Sequence, residues 1–246
     1  PESVRGQWQW FSATDAQRRE SIEEAWNDPT LDGVVYVGGG WGAARVLESG
    51  LHFPDRPFWS LGFSDSSALL LAQWQAGLLG AIHGSAWGVE DQWQRTVDLL
   101  SGRPTQPLQG RGLRGRMARG RLVVTNLTVA THLIGTHWFP SLEGAILVLE
   151  DVGEAPYRVD RMLTQWRSAG LFKGLAGVAC GRFRWTEDDV LPGDFSMDEI
   201  LEERLGDLGV PLVMDLPLGH GQPNLALPLG RKALLDASSG QLTLQT

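Results

Sequence analysis

The stretch "FWSLGFSDSSALLLA" (58–72) carries an apolar, strand-like run through a glycine into a serine and an aspartate, and then into a helix-like apolar repeat. A serine on so tight a strand-to-helix elbow has its oxygen pushed out of the backbone envelope. It also leaves the N–H of the next residue, Asp65, free to meet an oxyanion. The same residues equally fit a simple helix cap, so Ser64 as a nucleophile needs partners. A serine hydroxyl needs a base, normally histidine, and the histidine needs an acceptor that fixes its tautomer. Of the five histidines, His52 lies in a loop, His83 inside an apolar strand, and His132 and His137 at a spacing that does not share a helical face. His220 differs, since "DLPLGHGQPN" (215–224) sets it just past a strand on a glycine-flanked turn, although a surface turn reads the same way. Glu150 ends the apolar run "GAILVLE" (144–150), where a buried carboxylate is costly unless it is paired or functional.

All three groups follow strands, and in open α/β sheets ligands gather beyond the carboxyl ends of strands. The elements that would hold them alternate. Thr14 and Gln17 have capping-box spacing for a helix running to Trp26, stopped by "NDP" (27–29). "GVVYV" (33–37), "AARVLE" (43–48), "FWSLGF" (58–63), "SALLLAQWQ" (67–75), "GAIHGSAW" (80–87) and "EDQWQRTVDLL" (90–100) predict strands and helices in turn, hence a parallel sheet. Residues 101–118 are rich in Gly, Pro and Arg and predict a linker between domains at 1–100 and 119–246. Beyond it, strands and helices lead to "LALPLG", "KALLD" and "QLTLQT", which predict an antiparallel meander and an α+β second half.

Composition narrows the function. The 246 residues carry a formal net charge of −8, and the arginines of 101–121 lack aromatic interleaving, which argues against nucleic acid as a partner. No run reaches the ~20 apolar residues of a membrane span. The single cysteine, Cys180, excludes an intramolecular disulfide and a cysteine metal cluster and suits a reducing compartment. The histidines form no zinc motif, and "GGGWG" (38–42) lacks the lysine of a phosphate-binding loop, so neither a metal nor an organic cofactor is expected. The 11 tryptophans read chiefly as core and domain-interface fillers.

The blocks "TDAQRRESIEEAWNDPTLDGVVYVGGGWGAARVLE", "LGFSDSSALLLA" with "HGS" after it, "TNLTVATHLIGT", "ILVLEDVGEAPYRVDRML" and "DLPLGHGQPNLALPLG" resemble the LD-carboxypeptidase family, the muramoyl-tetrapeptide carboxypeptidases. The resemblance implies a Ser64, Glu150, His220 triad between a Rossmann-like amino-terminal half and a carboxyl-terminal half with barrel character. It also implies a cytoplasmic homodimer that releases terminal D-alanine from murein tetrapeptides. Family members open with a βα unit ahead of the point where this sequence starts, and they carry Arg where Gly38 stands. The remaining loop still offers the Gly39 and Gly40 amides, with Asp65 N–H, toward an oxyanion. An exopeptidase must read a free carboxylate, for which Arg45, Arg158 and Arg161 are candidates, each of which also fits a structural salt bridge. Two other readings stand beside this one: a related hydrolase of a peptide–nucleotide antibiotic amide, and a non-catalytic binding module.

Overall fold

The computed structural model describes residues 5–185 and 193–245. The first half alternates as its pattern predicts: α1 (Asp15–Asn27), β1 (Gly33–Val35), α2 (Ala43–Glu48), β2 (Trp59–Gly62), α3 (Ser67–Gln75), β3 (Ala81–His83) and α4 (Glu90–Leu100). β1, β2 and β3 pair in parallel in that order. The capping box forms: Gln17 N–H donates to Thr14 Oγ1 at 3.3 Å, and Thr14 N–H donates to Gln17 Oε1 at 3.1 Å.

The second half supplies β4 (Leu108–Gln109), β5 (Arg111–Arg114), β6 (Met117–Asn126), α5 (Leu127–Leu133), β7 (Ala145–Val152), α6 (Pro156–Ser168), β8 (Gly177–Arg184), α7 (Met197–Leu205), β9 (Leu212–Met214), β10 (Leu227–Pro228), β11 (Lys232–Asp236) and β12 (Gln241–Leu244). Eight of these strands form one sheet in the order β4-β12-β11-β6-β7-β8-β9-β5. Its centre, β6 to β9, is parallel. β7 is buried from Ala145 to Asp151, which is why it reads as an unbroken apolar run rather than an alternating one.

Two sequence expectations need correction. The segment 101–118 is not simply a linker, because β4 and β5 lie within it and pair with β12 and β9. Glycine, proline and arginine hide so short an edge strand from any period-2 pattern. Only Gly110 separates β4 from β5, so one run of chain lies on both edges of the sheet, giving it barrel-like curvature without a closed barrel. The expected three-strand meander also falls short. β11 and β12 form a hairpin, but β10 pairs antiparallel with β3 and becomes the fourth strand of the amino-terminal sheet.

The core ignores the halves. α3 is apolar on nearly every side and buried from Ser67 to Gln73, so it must be covered all round. It shares one hydrophobic cluster with β6, β7, β8 and β9. Burying each of Leu69, Leu70 and Leu71 contributes roughly 1.5–3 kcal/mol. The tryptophans depart from expectation. Trp26 and Trp166 are fully buried, whereas Trp10, Trp41, Trp87 and Trp93 are exposed. Among the described residues no helix is long and apolar enough to cross a membrane.

The curvature can be tested at Gly112, which faces Val213 across the β5–β9 pair. A Cβ there would lie 1.7 Å from the Ala237 carbonyl oxygen, at the end of β11. Gly112→Ala is expected to lower stability by about 1–3 kcal/mol in urea denaturation, the cost of overpacking. Wild-type stability in that variant would mean that β5 does not pack on the turn after β11.

Candidate active site

β2 delivers the chain to the elbow, where Ser64–Ser66 form a 3-10 turn leading into α3. Ser64 sits at φ +60°, a left-handed conformation that costs a non-glycine residue energy and that accompanies exposed nucleophiles. Ser66 Oγ donates to the Phe63 carbonyl at 2.8 Å and closes the turn. Asp65 turns its side chain away from solvent and accepts the Ala43 N–H at 2.8 Å, tying the elbow to the first turn of α2. Burial raises the Asp65 carboxyl above its ordinary value, against the opposing backbone donors of Ala43 and Gly42. Gly39 then packs on the serine. A Cβ at Gly39 would lie 2.8 Å from Ser64 Oγ, so only glycine lets this loop approach the hydroxyl so closely. The same point is 3.9 Å from the Asp65 nitrogen, which places Gly39 beside the N–H expected to face an oxyanion. Gly40 is exposed, with φ +98°.

Glu150 is fully buried near the end of β7. His220 Nδ1 lies 2.8 Å from Glu150 Oε2, and the His220 backbone N–H donates to the same oxygen at 3.2 Å. A carboxylate only accepts, so Nδ1 is the ring nitrogen that carries the proton in this bond. Gly219, at φ +92°, permits this approach, because a Cβ there would lie 2.8 Å from Oε2. On the other side Asn126 Nδ2 donates to Glu150 Oε1 at 3.2 Å and to Asp151 Oδ1 at 3.1 Å. The asparagine cannot flip, since its Oδ1 caps α5 by accepting the Val129 N–H at 3.0 Å. Burial pushes the Glu150 carboxyl up, but the His220 hydrogen bond, the nearby histidines and Asn126 outweigh it and hold the group below the usual carboxylate range. Asp151 goes the other way, pushed up to about 6 by burial despite the Thr128 and Val152 donors. The His220 ring packs on Phe63 at a centroid distance of 5.1 Å, so the imidazole stands against the residue that precedes Ser64.

A serine at positive φ on the elbow after β2 and a carboxylate-held imidazole on the turn after β9 are thus linked through Phe63, whose ring packs on His220. Two family models cover most of the chain: the LD-carboxypeptidase amino-terminal domain over residues 1–84 and the carboxyl-terminal domain over 119–235. A relative from Synechocystis sp., whose own carboxypeptidase assignment is provisional, is 43% identical over 95% of this chain and 79% of its own length. The murein tetrapeptide carboxypeptidase of Pseudomonas aeruginosa is 32% identical over 96% of this chain and 82% of its own. The chain belongs to the LD-carboxypeptidase family. In fold, the muramoyltetrapeptide carboxypeptidase of Oxalobacter formigenes matches with a TM-score of 0.83 and 26% identity, covering 97% of this chain and 86% of that one. The microcin C7 self-immunity protein shares the fold at 18% identity and a TM-score of 0.84, over 99% of this chain and 84% of its own.

In this LD-carboxypeptidase two of the three arginines expected to read a carboxylate, Arg45 and Arg158, have other partners. The Arg45 guanidinium is held by Asp15 at 2.6 and 2.9 Å and lies over the Phe11 ring. Arg158 bonds to the Tyr157 hydroxyl at 2.9 Å and approaches Glu154. Arg161 is an exposed residue of α6. Two further groups that sequence reasoning passed over belong to the site. Asn126 is one. The other is His83, buried at the end of β3 with Nε2 3.7 Å from Glu150 Oε1. Burial holds the His83 imidazole below its ordinary value, against the pull of Glu150. The block "HGS" carried the signal, but a lone histidine in an apolar strand reads as packing.

Asn126→Ala removes both the α5 cap, worth ~1 kcal/mol, and a donor to a charged group, worth roughly 1.5–3 kcal/mol. A loss of about 3 kcal/mol in urea denaturation at pH 7 is expected. A carboxyl depressed in the folded state stabilises above its unfolded value and loses that contribution as the pH falls through the folded one. The Glu150 share of the deficit should therefore shrink in acid below pH ~4. A deficit independent of pH would show that Asn126 acts only as a cap.

Proposed function

We propose that this chain is a serine carboxypeptidase that hydrolyses the amide before a terminal D-alanine in murein tetrapeptides. The observation that carries the reading is the Glu150–His220 pair packed on Phe63, the residue that leads into a serine at positive φ. Ser64 attacks the carbonyl carbon while His220 Nε2 takes the hydroxyl proton. Glu150 stays ionised and stabilises the imidazolium that forms. The Asp65 N–H and an amide of the Gly39–Gly40 turn receive the oxyanion. His220 then returns its proton to the departing D-alanine amine, and water attacks the acyl-serine with the same histidine as base.

Support for a murein peptide over the antibiotic amide comes from similarity. The murein tetrapeptide carboxypeptidase is 32% identical, whereas the self-immunity protein shares only the fold at 18%. On the same reading the enzyme works in the cytoplasm as a homodimer.

Ser64→Ala is expected to abolish D-alanine release from murein tetrapeptide, measured by coupled oxidation of the free amino acid, while the protein stays folded. Glu150→Gln keeps the shape but loses the charge that favours imidazolium, with an expected fall in kcat of about 10²- to 10⁴-fold. Substantial turnover by folded Ser64→Ala would exclude the proposed nucleophile, and near-normal turnover by Glu150→Gln would make Glu150 a structural carboxylate.

A further inference from the structure

An exopeptidase has to recognise a free carboxylate on the leaving-group side of the scissile bond. That side is the histidine's side. In the proposed reaction His220 delivers a proton to the α-amine of the departing residue, and the carboxylate of that residue is only two bonds from the amine. A receptor for it belongs beside the His220 turn.

The eight-stranded sheet is irregular at this place. Along the β7–β8 pair Leu149 faces Cys180 but Asp151 faces Phe183, so β8 carries one extra residue opposite Glu150. A bulge of this kind re-aims side chains and commonly sits next to an active site. The residues it re-aims here are arginines. Arg182 and Arg184 both converge on Gly221, the neighbour of His220. A Cβ on Gly221 would lie 3.1 Å from an Nη of Arg184 and 3.3 Å from Cδ of Arg182. Arg182 is fixed in place, its N–H bonding to the Leu218 carbonyl at 3.0 Å and its guanidinium donating to the Pro223 carbonyl at 2.5 Å.

Two guanidinium groups side by side repel each other, and the electrostatics records it. Burial first, and the neighbouring Arg184 second, hold Arg182 below the ordinary arginine value. Among the described residues neither arginine forms an ion pair with a carboxylate, in contrast to Arg45, Arg111, Arg167 and Arg204, which all do. Two cations that have no carboxylate partner among the described residues are a ready receptor for an anion, and a guanidinium matches a carboxylate with two parallel donors.

We propose that Arg184, backed by Arg182, binds the terminal carboxylate of the substrate next to His220 and so makes the enzyme an exopeptidase. The inference rests on the carboxypeptidase reading above and assigns the specificity that Arg45, Arg158 and Arg161 were expected to supply. Arg184 is the residue that contacts the ligand. Arg182 holds the 217–223 turn and adds charge.

The test compares murein tetrapeptide ending in D-alanine with the same peptide ending in D-alanine carboxamide, which has the same scissile bond and no terminal charge. Wild-type enzyme should favour the free acid in kcat/KM by about ten- to a hundredfold, the worth of a charge-assisted contact. Arg184→Gln should lower kcat/KM for the acid by that factor and leave the amide unchanged, so that the preference disappears. Arg184→Lys, which keeps the charge but loses the fork, should restore part of it. A purely structural role would instead slow both peptides equally. Arg184→Gln retaining the full preference for the acid would overturn the inference and leave the carboxypeptidase reading intact. Wild-type enzyme cleaving neither peptide, with no D-alanine from the acid and no D-alaninamide from the amide, would instead overturn that reading. In that case calorimetric binding of the acid peptide to wild type and Arg184→Gln still decides the arginine's role, equal affinity or no binding counting against it.

Discussion

A fully buried carboxylate at the end of a central strand constrains everything around it. Leaving Glu150 charged in that position without partners would cost several kcal/mol, and the fold answers with donors on every side. His220 takes one oxygen through its ring and its backbone N–H, and Asn126 takes the other. These partners come from different places. Asn126 faces Glu150 across the β6–β7 pair, while His220 arrives from the turn after β9 on a glycine that alone allows so close an approach. His83 reaches the same carboxylate from the other sheet. A single buried charge therefore ties both sheets to one point.

That point lies where the serine must be. α3 is buried between the sheets, so the elbow that begins it can move only with the core. The strain at Ser64 is sustained by the same packing, with Asp65 anchored to α2 and Phe63 against the His220 ring. Ser64 and His220 follow strands of different sheets, yet β10 leaves the carboxyl-terminal half to pair with β3, directly beside His83. The site is held as a unit by the crossing of the chain rather than by either half alone.

Much of this was legible in the residues. The alternation of strands and helices, the capping box at Thr14, and the placing of Ser64 and His220 after strands follow local rules of period, turn and cap, whereas Glu150 lies within β7, two residues before its end. The parts that were not legible depend on distant chain. β4 and β5 are too short and too rich in arginine and glycine to show a strand period, and they exist because β12 and β9 offer free edges. β10 looks like a neighbour of β11 in sequence and is not one in space. His83 and Asn126 have meaning only once Glu150 is known to lie beside them. Arg182 and Arg184 sit in a strand end that reads as alternating surface, and neither the one-residue bulge there nor their closeness to Gly221 shows in the pattern.

The central claim is that Ser64 is an activated nucleophile and not a helix cap. Treating the folded protein with a fluorophosphonate and mapping the modified peptide by mass spectrometry tests it most directly, because the reaction needs the serine, its base and an oxyanion site but no knowledge of the substrate. The account predicts one adduct per chain, on Ser64. A folded protein that takes up no phosphonate, or takes it up on another residue, would contradict it.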